Sequence, residues 1–143
     1  MDNNEINMAI AKIRDLHFYE VEGNGYILAC DCKNKAFHQR SLVVNPNPKD
    51  VFWGDGFHAF SNWSRSIGAA FELVAGMPHF RLARLSSGRW QCQSAHCADW
   101  GDHVIDGESQ KGTPYHCGCI YADADTAPRA ISLAFLSWKQ AKL

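Results

Sequence analysis

The chain has 143 residues, of which 46% are hydrophobic and 20% charged, and a formal charge of -1. This balance excludes a disordered or membrane-embedded composition, and fourteen Lys plus Arg set against fifteen Asp plus Glu give no global positive field for duplex nucleic acid. At this length one core buries roughly two-thirds of the unfolded surface, so a single domain over residues 1–143 is expected.

In chain order, the start (Asp2, Asn3, Asn4, Glu5) lacks the basic opening and apolar run of a secretory signal, and no later apolar stretch can span a bilayer. A cytosolic protein is expected. Asn3 and Asn4 can cap a first helix from about residue 4 to 15, in which Ile6, Ala9, Ile10, Ile13 and Leu16 keep helical spacing. HFYEVE and YILACDC flank Gly23, Asn24 and Gly25 and predict a hairpin over residues 17 to 32. Residues 33 to 61, broken by KNK, NPNPKD and WGDG, predict a long loop with at most short strands. Ser61 and Asn62 can cap a second helix with Ile67, Ala70, Phe71 and Val74 on one face and Gly76 and Pro78 at its end. HFRLARL and RWQCQSA, joined through Ser86, Ser87 and Gly88, predict another hairpin, and YHCGCIYA one more strand. In the closing segment Thr126 can cap a helix, Pro128 sits harmlessly in its first turn, and Ile131, Phe135 and Trp138 share a face. The expected class is α+β: an antiparallel β-sheet of about four to five strands with three α-helices packed on it, an α/β sandwich.

The ADADTAP run entering the last helix resembles the C-terminal hallmark of the small phage proteins grouped as the phage ABA sandwich domain. SNWSRSIGAAFELVAGM, Trp90 and INMAIAKI are similar to that family's capped central helix, tryptophan-bearing strand and opening helix. The Pro-rich loop and the cysteine pairs depart from the family pattern. The resemblance implies a phage or prophage protein acting in the host cytoplasm. It supplies no biochemistry, since most members lack an assigned one.

Two constellations carry the chemistry. Six cysteines in a reducing compartment read as free thiols or metal ligands rather than disulfides. Cys30 with Cys32, and Cys117 with Cys119, are two apart and project from one face of a strand, so each pair can offer two thiolates. Cys92, Cys97, Cys117 and Cys119 make a tetrahedral zinc set if their strands are neighbours, with His96, His103 and His116 as substitutes, and such a zinc would be structural. The competing reading is that these thiols are small apolar core residues. The second constellation is aromatic: Phe52, Trp53, Phe57, His58, Phe60 and Trp63 crowd a Gly-rich loop beside Arg65, with Arg40, Trp100 and His103 able to complete a surface. Rings that stack bases and arginines that neutralise phosphate suit a nucleotide ligand, whereas the same rings can also simply cover the core.

No nucleophile elbow, phosphate-cradling glycine motif or His and Glu metalloenzyme motif is present, so the chain is not expected to be an enzyme. The expected function is a small phage-encoded binding protein, a counter-defence sponge that sequesters a cyclic or other small nucleotide signal of host immunity. Two alternatives stand beside it: a protein–protein interaction module that inhibits a host or phage protein, with Trp53, Phe57 and Trp63 as anchors, and a zinc-stabilised accessory module. Self-association fits the first two, since sponge pockets often lie between subunits. Neither duplex nucleic acid nor a membrane is an expected partner.

Overall fold

Asp2, one residue ahead of the expected caps, opens the first helix: its carboxylate accepts the Glu5 N–H at 2.8 Å and starts α1, Asn3–Ile13. That bond holds the Asp2 carboxyl below its ordinary pKa. α1 ends where the Leu16 N–H reaches back to the Ala11 carbonyl at 3.0 Å and Asp15 takes a left-handed φ of 57°, the conformation of a glycine-type helix stop. A computed structural model describes residues 1–23, 25–56, 59–94, 103–105, 108–110 and 120–141 of the chain.

The expected hairpin follows as β1, His17–Glu20, and β2, Ile27–Cys30, with Gly23 and Gly25 at positive φ in the connection. Its register sets His17 opposite Cys30 and Phe18 opposite Ala29. The loop expected over residues 33 to 61 holds a 3₁₀ helix, Lys35–Ser41, then β3, Leu42–Val43, a 3₁₀ turn, Pro48–Asp50, and β4, Val51–Phe52. β5, Asp55–Gly56, and β6, Ala59–Phe60, form a ribbon of their own. β3 pairs antiparallel with β1 and β4 parallel with β2, which gives a sheet ordered β3-β1-β2-β4.

The second helix begins later than the sequence suggests. Asn7, fully buried on α1, accepts the Ser64 N–H at 2.9 Å and donates to the Asn62 Oδ1 at 3.2 Å. Residues 62 to 65 are thereby tied to α1 as a turn, and Ser66 caps α2, Ile67–Val74, by accepting the Ala69 N–H at 3.3 Å. The buried face of α2 is Ala69, Ala70 and Leu73, while Ile67 and Phe71 stay 45% and 49% exposed. The two alanines let α2 approach the last helix closely, so the larger side chains of the expected stripe rotate outward.

β7, Arg81–Arg84, and β8, Trp90–Ser94, turn through Gly88 at positive φ; β9, His103–Ile105, and β10, Glu108–Gln110, pair with each other. β11, Ile120–Ala124, joins β8 to give an antiparallel sheet ordered β11-β8-β7. α3, Ala127–Ala141, is capped as expected, the Thr126 hydroxyl accepting the Arg129 N–H at 3.4 Å. It packs on β8 and β11 and against α1 and α2, burying Ile131, Phe135 and Trp138 in a single continuous core. The α+β sandwich class is what the structure has. The single antiparallel sheet is not: among the described residues there are two main sheets, and the β2–β4 pairing is parallel. Among the described residues no helix is long and apolar enough to cross a membrane.

Candidate metal centre

The β1–β2 register does more than build a sheet. With His17 opposite Cys30, an imidazole and a sulfur share one face at the end of the hairpin distant from its turn. Tyr19, two residues along β1, points the same way, and the His38 ring from the Lys35–Ser41 helix stacks on it at 3.8 Å between centroids and 10° between planes. His38 is thereby held 5.3 Å from the His17 ring, centroid to centroid. The ligand atoms of His17, Cys30 and His38 all lie within 4.8 Å of one another, and those of Cys30, Asp31 and Cys32 do the same. These side chains are close enough to hold a metal ion.

His17 is the telling member. It is 8% exposed, and its Nε2 is buried without a hydrogen-bond partner among the described residues. An unpaired buried ring nitrogen costs about 1–3 kcal/mol, a cost that a ligated ion removes. Burial, then the neighbouring His38 and Lys35, lower the His17 pKa and favour the neutral imidazole that ligates metals. The Cys32 N–H donates to Cys30 Sγ at 3.3 Å, an interaction that strengthens when the sulfur carries charge. The two sulfurs are joined here as a disulfide across Cα atoms 5.5 Å apart, which departs from the expectation of free thiols.

Tetrahedral zinc with Zn–N near 2.0–2.1 Å and Zn–S near 2.3 Å needs donors about 3.3–3.8 Å apart. The three-residue set, within 4.8 Å, reaches that spacing by closing at most about 1.0–1.5 Å. Cys30 is common to both clusters, and Cys32 and Asp31 are the further donors that the second one brings beside it.

The residues singled out from the sequence are distributed differently. Trp53 is 7% exposed, packs edge-on against Phe18 and donates its Nε1–H to the Pro48 carbonyl at 3.2 Å. Trp63 is 2% exposed, drawn beneath the 62–65 turn that Asn7 ties down. Neither offers the open ring face expected of a stacking surface, because both spend their area in the core. Arg65 is engaged with the Asn4 Oδ1 at 3.2 Å, and Arg40 is exposed at the end of its 3₁₀ helix. Phe57, His58 and Trp100 lie outside the described residues, and His103 opens β9, where the backbone alone is described. Of the expected zinc quartet, Cys97, Cys117 and Cys119 also lie outside them. Cys92 sits fully buried between β7 and β11, a thiol whose pKa burial pushes up to about 12, and it belongs to no ligand cluster among the described residues.

His17 and His38 were not among the residues picked out from the sequence. The hairpin signal contained the clue to the first, since strands meeting around Gly23 to Gly25 set residue 17 against residue 30. Nothing in the spacing brings residue 38 to them. Comparisons with protein-family models, with curated proteins and with solved structures find no match.

Proposed function

We propose that the chain is a metal-stabilised accessory module in which His17, Cys30, Cys32 and His38 hold a structural zinc ion in the reduced protein. The observation that carries this reading is the buried His17 imidazole, whose Nε2 has no hydrogen-bond partner among the described residues and which is gathered with the Cys30 sulfur and His38. The 3₁₀ helix of Lys35–Ser41 has no buried residue of its own, so little besides the His38–Tyr19 stack fastens it to the sheet. A four-ligand ion pins that helix to the hairpin and gives the chain between β2 and β3 a fixed course.

Cobalt substitution tests the reading directly. Reduced protein titrated with cobalt should develop the visible bands of a tetrahedral ion together with near-ultraviolet sulfur-to-metal charge transfer, and zinc should displace both. His38→Ala and Cys32→Ser should each weaken the bands, whereas Cys92→Ala should leave them in place. If His38→Ala binds cobalt with the wild-type spectrum and affinity, the ion is held elsewhere and the proposal fails.

A further inference from the structure

The Cys30 sulfur has two competing uses. Cys30 belongs to both ligand clusters, yet its Sγ is also bonded to Cys32, and a sulfur in a disulfide carries no thiolate for a metal. The 5.5 Å Cα separation lies in the range that a disulfide accepts, and a single residue, Asp31, separates the two cysteines. Access differs between the two. Cys30 is buried beneath the hairpin face, whereas Cys32 is half-buried beside the exposed Asp31. Cys92, in the core, is shielded from solvent.

We infer that Cys30 and Cys32 form an oxidative modification site at which a peroxide expels the metal, so that zinc binding by the module is reversibly controlled by redox state. The inference rests on the zinc reading above. The Cys32 thiolate attacks the peroxide, an S–O bond forms and the O–O bond breaks, and hydroxide leaves. The Cys30 thiolate then attacks the resulting sulfenic sulfur, the S–S bond forms and the S–O bond breaks, and a second hydroxide leaves. Two thiolates have lost two electrons, hydrogen peroxide has gained them, and two protons turn the hydroxides into water. Zinc, left with only His17 and His38, departs. A dithiol reverses the reaction by thiol–disulfide exchange, and rebinding of zinc releases the thiol protons.

Trypsin cuts after Arg14 and Lys33, so the peptide spanning residues 15–33 carries Cys30 and Cys32 and no other cysteine. The full-length protein, reduced and loaded with zinc, is treated with hydrogen peroxide; released zinc is followed with a chromophoric chelator, and free thiols are alkylated before digestion. The zinc assigned to this centre is the amount that wild type holds and His38→Ala does not. Before peroxide, no difference between the two overturns the zinc reading itself, and this inference with it. Given a difference, the expected result is loss of that zinc in step with an unalkylated 15–33 peptide about 2 Da lighter than its dithiol form, both restored by dithiothreitol. Retention of the zinc, its loss while the peptide remains fully alkylated, or irreversible addition of oxygen to the peptide would each overturn the switch while leaving the metal site standing.

Discussion

Replacing His38 by Ala separates a metal ligand from a packing residue, because the structure gives the two roles different sizes. Without metal, His38 contributes its stack on Tyr19, worth about 1 kcal/mol for an aromatic pair at 3.8 Å. Its 3₁₀ helix buries no residue, so no cavity penalty is added. With free zinc held at a hundred times the dissociation constant, the ion adds about 2.7 kcal/mol to wild type. A ligand loss that weakens binding a hundredfold leaves only about 0.4 kcal/mol of that, so the variant forfeits about 2.3 kcal/mol of metal stabilisation on top of the stack. The expected cost is therefore about 1 kcal/mol in chelator and about 3.3 kcal/mol in zinc. For a chain of this size that is a fall in melting temperature of about 3 to 4 °C against about 10 to 13 °C. Thermal melts followed by circular dichroism, on protein kept reduced with a phosphine, read both numbers from one sample. Equal shifts in chelator and in zinc would refute the reasoning, since His38 would then be a surface ring and nothing more.

Other outcomes follow from single contacts. Asn7→Ala strands the buried Ser64 N–H and removes the bond to Asn62, which should cost about 3 kcal/mol in denaturant unfolding, with Asn62→Ala adding little once Asn7 is gone. Asp15→Gly should stabilise by about 0.5–1 kcal/mol in the same assay, because Asp15 holds a left-handed φ of 57° and places a negative charge at a helix C-terminus. With the Cys30–Cys32 disulfide in place, His17 has a folded pKa below its ordinary 6.5 because of burial, then His38 and Lys35. The unfolded chain therefore takes up a proton that the fold refuses, so stability should be level above pH 6.5 and decline as pH falls from there toward the folded value. Melting temperatures across that window should flatten in His17→Gln.

The elements that the sequence announced are those whose signals are local. The hairpin over β1 and β2 rests on Gly23 and Gly25, the last helix on Thr126 and on Ile131, Phe135 and Trp138, and all of these play the expected parts. The division into two sheets is a different kind of fact. β4 joins β2 in parallel only after the chain has passed through two 3₁₀ segments and β3, and no residue pattern within Val51–Phe52 names its partner strand. The start of α2 failed for a related reason. Ser61 and Asn62 are good caps by type, but Asn7, more than fifty residues earlier, claims that turn for α1.

That capture also explains why Trp63, one ring of the aromatic cluster, is buried. An indole in a Gly-rich loop has the same composition whether it faces water or the core, and what settles its direction is the polar group that fastens the neighbouring backbone. Asn7 fastens residues 62 and 64, so Trp63 between them has only the interior to enter. The candidate ligands invert the problem. Histidine at positions 17 and 38 is unremarkable by spacing, and its chemistry arises only when a strand register and a ring stack bring both imidazoles to a sulfur. Buried polar atoms therefore carry the information that hydrophobic periodicity omits. The satisfied one, Asn7, fixes a loop, and the unsatisfied one, His17 Nε2, belongs to a side chain gathered with groups close enough to hold an ion.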